Sequence, residues 1–77
     1  MQEVALSAVP VGTEGRVRRV TGEGSLRRRL LEMGLIPGSV IKVEGVAPLG
    51  DPMEVRVRGY LLTLRRNEAA SVVVEVD

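Results

Sequence analysis

The sequence predicts a mainly β protein, a small and strongly bent antiparallel barrel of five to six strands with one short α-helix inserted. Three observations carry that reading. Short runs of alternating apolar and polar residues recur along the chain, parted by Gly- and Pro-rich turns. One stretch, Ser25 to Gly38, has helical spacing followed by a stop. The 77 residues allow one small domain, 1–77, with no linker, repeat or low-complexity segment in view.

Val4-Ala5-Leu6-Ser7 reads as a short edge strand ended by Pro10, and Val11 to Gly15 as a turn. Arg16-Val-Arg-Arg-Val20 follows as a strand. Val17 and Val20 differ in parity, so both reach the interior only if a bulge intervenes. Gly22-Glu-Gly24 leads into the helix, for which Ser25 is the expected N-cap. Leu26, Leu30 and Met33 form an apolar stripe with Leu31 at its edge. Gly34 stands where a left-handed residue ends a helix, and Leu35 beyond it is placed to fold back on Leu30. Ile36-Pro-Gly-Ser39 suits a type II turn. Two turns of helix do not hold alone in water, so this one has to be seated on the sheet, plugging one open end of the barrel.

Val40 to Glu44 alternates, with Ile41 and Val43 on one face and Lys42 and Glu44 on the other. Ala47 to Met53 reads as a hairpin loop. Glu54 to Arg58 is the cleanest alternation, with Val55 and Val57 inward. Gly59-Tyr60 turns the chain into Tyr60–Arg65, where Leu62 and Leu64 face inward. Asn67 to Ala70 is expected to form one helical turn capped by Asn67. The last strand, Ser71 to Val76, places Val72, Val74 and Val76 inside.

Composition removes several function classes. There is no Cys and no His, which excludes disulfide staples and ordinary zinc sites. No base stands ready to activate Ser25 or Ser39, no carboxylate pair has a distinctive spacing, and no cofactor motif is present, so an enzyme is not expected. Gly12-Thr-Glu-Gly15 and Gly22-Glu-Gly24 lack the Lys and Ser or Thr of a phosphate-binding loop. The start of the chain has no basic segment followed by a long apolar run, and no stretch approaches a membrane span, so a cytoplasmic protein is expected. Net charge is +1 and the one aromatic residue is Tyr60, a poor basis for stable nucleic-acid binding.

Charge is unevenly placed. Of the 11 basic residues, Arg16, Arg18, Arg19, Arg27, Arg28 and Arg29 fall within a short span. Arg27, Arg28 and Arg29 open the helix, the end at which cations are least favourable. They are candidates for docking an acidic surface, set against the plainer reading of a solvated helix face. Leu49, between Pro48 and Gly50 at a loop tip, is the candidate exposed apolar contact. Met33 and Leu35 belong more naturally to the core. Asp51, Glu54 and Glu44 offer oxygen ligands to a hard cation, but ferrous iron usually takes imidazole among its ligands, and no metal site is assigned.

In order along the chain, Arg29-Leu-Leu-Glu-Met-Gly-Leu-Ile-Pro-Gly38 with the strand Val40–Glu44, then Ala47-Pro-Leu-Gly-Asp-Pro52, Val55–Gly59 and Leu64-Arg-Arg-Asn-Glu-Ala69 resemble the FeoA family. The opening Leu6 and Val11-Gly-Thr-Glu-Gly-Arg-Val17 fit as well. The resemblance implies an SH3-like barrel and a regulatory part in ferrous iron uptake. The implied partner is a FeoB-type transporter, reached at its cytoplasmic GTP-binding part, with contact to the membrane only through that partner. The same domain occurs at the C-terminus of iron-dependent repressors resembling the diphtheria toxin repressor, whose DNA- and metal-binding domains have no counterpart here. A small nucleic-acid-binding barrel, or a stand-alone relative of the repressor domain, is the alternative.

Overall fold

The structure, a computed structural model, describes residues 1–77. Its strands are β1 (Gln2–Ala5), β2 (Glu14–Val20), β3 (Val40–Val46), β4 (Met53–Val57), β5 (Tyr60–Leu64) and β6 (Val72–Val76), with helices α1 (Gly24–Glu32) and α2 (Arg66–Ala69). A single 3-10 turn, Leu6–Ala8, follows β1. The strands pair antiparallel in one six-stranded sheet of order β1-β6-β2-β3-β4-β5. The expected edge strand is an edge, though Leu6 and Ser7 leave it for the 3-10 turn.

Alternation decides what each strand buries. Ile41 and Val43 on β3, Met53, Val55 and Val57 on β4, Leu64 on β5, and Val72 and Val74 on β6 join one cluster of 15 buried residues. Val76 and Leu62 are only half-buried at its margin. Strand β2 reaches this cluster with both Val17 and Val20 because its pairing with β6 slips between Val17 and Arg19, the expected bulge. A second slip, between Val43 and Gly45, bends β3 against β4. Such bulges add local twist, which turns the inner faces of six short strands toward one another.

The two borders of the sheet approach through α2, which packs on the Leu6–Ala8 turn. Arg66 fixes that contact, its Nη1 donating to the Ser7 carbonyl at 2.6 Å. Chain direction is therefore set by small devices at the corners. One of them departs from expectation: the β4–β5 turn is Arg58-Gly59 and not Gly59-Tyr60, both turn residues at positive φ (54° and 85°), while β5 starts at Tyr60 as expected. A two-residue hairpin needs that pair of conformations to match strand twist.

Candidate docking surface

The helix α1 begins without the expected cap. Glu23 occupies the N-cap position and makes no side-chain cap bond. Gly24 takes a left-handed φ of 56° and starts the helix two residues earlier, so Ser25 falls inside the first turn. A missing cap forgoes about 1 kcal/mol, and Arg27 in the first turn opposes the macrodipole, whereas the earlier start puts Arg29 in the last turn, where a cation is favourable. The far end of the helix compensates. The Leu35 N–H donates to the Leu30 carbonyl at 3.2 Å, and the Gly34 N–H to Leu31 at 3.0 Å. With Gly34 at φ 102°, this is a complete Schellman ending. Leu30 and Leu35 are both wholly buried, the apolar contact that accompanies such a stop.

The following turn closes as expected. Ser39 N–H meets the Ile36 carbonyl at 3.0 Å, with Gly38 at φ 94°. It is stitched to β2, since Gly38 and Val17 bond at 2.8 Å and Arg16 Nη1 donates to the Gly38 carbonyl at 2.8 Å. Leu26, Leu31 and Met33 pack partly buried against the core, as the stripe requires. The polar side of α1 is left facing outward.

The helix arginines differ in what they hold. Arg27 Nε donates to the Val20 carbonyl at 3.3 Å, tying the first helical turn to the end of β2. Arg29 forms an ion pair with Glu68 of α2. Arg28 has no hydrogen bond or ion pair within the chain and lies with Ser25, Leu26, Arg29 and Glu32 around a surface depression. The other arginines of the basic span are largely engaged. Arg19 and Arg18 approach Glu3 at 3.0 and 3.6 Å, and Arg16 is held at Gly38.

Leu49 is 96% exposed at the tip of the β3–β4 loop. Its loop is held by Arg66, whose Nε donates to the Gly50 carbonyl and whose backbone N–H donates to Asp51 Oδ1 at 3.1 Å. Arg66 opens α2, and Glu68 in the same helix grips Arg29. Thus α2 links the loop that carries Leu49 to the helix that carries Arg28 and Arg29. Glu68 also accepts the Arg65 N–H at 2.9 Å, so Arg65 takes the N-cap position expected of Asn67, and the helix starts at Arg66. Arg66 and Glu68 were not candidates from the sequence. Their spacing within one helical turn carries no signal of partners far away along the chain.

The three carboxylates considered as cation ligands do not converge. Glu44 pairs with Arg56 at 3.1 Å, Asp51 is used by Arg66, and no group of three acidic side chains gathers in the structure. No helix is long and apolar enough to cross a membrane.

A bent six-stranded antiparallel sheet closed at a corner by a short helix, with a second helix inserted between β2 and β3, defines the class of SH3-like barrels with a helical insertion. The family model for the FeoA domain matches residues 4–76, and the chain belongs to the FeoA family. A curated relative from Porphyromonas gingivalis, described as an Fe(2+) transport protein A/Fe(2+) transporter FeoB fusion protein, is 42% identical over 71 residues, which is 92% of this chain. The chain spans only 8% of that relative's length. Among solved structures, a FeoA-like protein from Clostridium acetobutylicum matches with a TM-score of 0.91 and 38% identity, over 99% of this chain and 88% of its own. A zinc-complexed FeoA from Stenotrophomonas maltophilia, described as a prokaryotic SH3 domain protein, matches with a TM-score of 0.81 and 32% identity, over 91% of this chain and 87% of its own.

Proposed function

We propose that this protein is a non-enzymatic cytoplasmic regulator of ferrous iron uptake that works by docking on the GTP-binding part of a FeoB-type transporter. One observation carries the reading: a relative 42% identical to this chain is joined in a single polypeptide to a FeoB transporter. Covalent fusion holds two modules at a high effective concentration, which is useful when their contact matters and is weak on its own.

The surface offered is the outward side of α1 together with the Leu49 loop. Arg28 supplies a cation with no internal partner and Leu49 an apolar side chain at a fixed loop tip, while Arg29, 59% exposed, stands beside them already paired with Glu68. Arg27 contributes less, because its guanidinium is tied to Val20. A cationic rim with one apolar anchor suits an acidic protein surface. Nucleic-acid binding is the weaker reading, since Arg16, Arg18 and Arg19 are held by Gly38 and Glu3 and the aromatic content is one tyrosine.

Capture of the transporter's soluble GTP-binding segment by the immobilised chain tests the reading, with GTP hydrolysis measured in parallel. Capture is expected. Faster hydrolysis that depends on Arg28 would identify it as an arginine supplied in trans. Capture without faster hydrolysis keeps the docking role and removes that one, and failure to capture overturns the proposal.

A further inference from the structure

Strand β5 is one border of the sheet and pairs only with β4. Val57 faces Tyr60 across the Arg58-Gly59 turn. In a two-residue hairpin, the residues flanking the turn exchange both backbone hydrogen bonds, and bonding then alternates along the pair. Tyr60, Leu62 and Leu64 therefore direct N–H and C=O toward β4, whereas Leu61 and Thr63 direct theirs outward. No backbone bond from a turn, loop or cap reaches either residue.

Sheet borders are normally blunted by Pro, by charge, by a bulge or by cover. The run Tyr60-Leu-Leu-Thr-Leu64 contains no Pro and no charge, and its register with β4 is unbroken. Tyr60 and Leu61 are 73% and 48% exposed. The opposite border is managed: β1 gives way to a 3-10 turn after Ala5, and its Glu3 is held by Arg18 and Arg19.

Cations bracket the open border. Arg58 precedes β5 and Arg65 follows it, and neither has a carboxylate partner. Arg58 also holds a φ of 54°, a conformation in which Asn, Asp or Gly is usual and a long side chain is uncommon.

We propose that the β5 border accepts an extended acidic segment of a partner protein as an added strand. Backbone groups of Leu61 and Thr63 would carry the pairing, with Arg58 and Arg65 selecting for carboxylates toward both ends of the segment. Charge argues against a second copy of this chain as the occupant. Antiparallel pairing of two β5 strands about Leu62 sets Arg58 across from Arg66, and parallel pairing in register sets Arg58 beside Arg58. The Arg58 side chain reaches the α1 stop at Gly34, but the pairing groups are those of β5 and the test does not depend on the transporter.

The probe is a short peptide of alternating valine and threonine with glutamate at each end. A lysine-ended peptide of the same pattern is the control. With the full chain labelled for NMR, the acidic peptide is expected to shift the amides of residues 58–65 and to slow hydrogen exchange at Leu61 and Thr63. The lysine-ended peptide is expected to do neither. Thr63→Pro removes an outward N–H while leaving the β4 ladder intact, and is expected to abolish binding with the rest of the spectrum unchanged. Arg58→Glu combined with Arg65→Glu is expected to weaken binding by roughly tenfold or more. No binding, equal binding of both peptides, shifts centred elsewhere, or protection of the border by self-association without peptide would each overturn the proposal.

Discussion

Arg28 is the helix arginine with nothing inside the protein to hold, which separates its part in stability from the docking part proposed for it. Arg28 is the fifth residue of α1, beyond the turn where the dipole acts most, and Arg28→Glu sets a second carboxylate four residues before Glu32, so the change should move stability by no more than about 0.5 kcal/mol. Urea denaturation checks this, and a loss above about 1 kcal/mol would mean that Arg28 holds the fold. Arg66 is the opposite case. It meets Ser7, Gly50 and Asp51, so Arg66→Ala loosens the Leu49 loop by removing its Gly50 anchor. The Asp51 bond survives because it uses the backbone. Losing the two guanidinium contacts, both solvent-exposed, should cost about 1–2 kcal/mol. Backbone relaxation near Leu49 should show a more mobile loop, and an unchanged loop would contradict the clamp. Residues of this kind are the least legible in a sequence. The Leu49 tip could be read from its Pro and Gly neighbours, whereas Arg66 has partners 15, 16 and 59 positions away that local pattern does not reveal.

The helix α1 is stabilised at its end and by its buried face, and scarcely at its start. Leu30 is wholly buried with Leu35 against it, so Leu30→Ala should lose about 2–5 kcal/mol through the transfer term and the cavity left behind. In a domain this small, that loss should bring the thermal transition close to room temperature. At Gly34 the φ of 102° excludes an ordinary side chain, and Gly34→Ala should destabilise by about 1–2 kcal/mol while leaving Leu30 packed. A thermal melt of each variant tests the pair, and an undisturbed Gly34→Ala would mean the helix can stop another way. The stop was readable because Gly, Leu and Pro each have one role in that order. The start was not. Ser25 has the chemistry of a cap, but Gly24 can adopt the left-handed conformation that shifts the boundary, and a flexible Gly-Glu-Gly entry leaves several starts open. The same limit applies to α2, where Asn67 suits a cap but Glu68, reaching back to the Arg65 N–H, sets the start. Strands β3 and β4 were legible through alternation, and the β2 bulge followed from the mismatched parity of Val17 and Val20, whereas β1 lies two residues before its expected place.

For the whole molecule, one valine- and leucine-lined cluster holds a bent sheet, and α2 closes its corner while connecting the α1 face to the Leu49 loop. The proposed function at this scale lies on the exterior. The net charge of +1 is small, so recognition depends on where the cations stand and on which of them are already paired. Pairing was invisible in the sequence: Arg18 and Arg19 looked as available as Arg28 until Glu3 was placed beside them. The central claim is that Arg28 and Leu49 form a docking face for the GTP-binding part of a FeoB-type transporter. The most direct measurement is the dissociation constant for that soluble segment, determined by titration calorimetry for the natural chain and for the Arg28→Glu, Leu49→Asp double variant. The account predicts at least a roughly tenfold weaker complex for a variant with unchanged melting behaviour, and salt-sensitive binding for the natural chain. Equal affinity of the two folded proteins would contradict it.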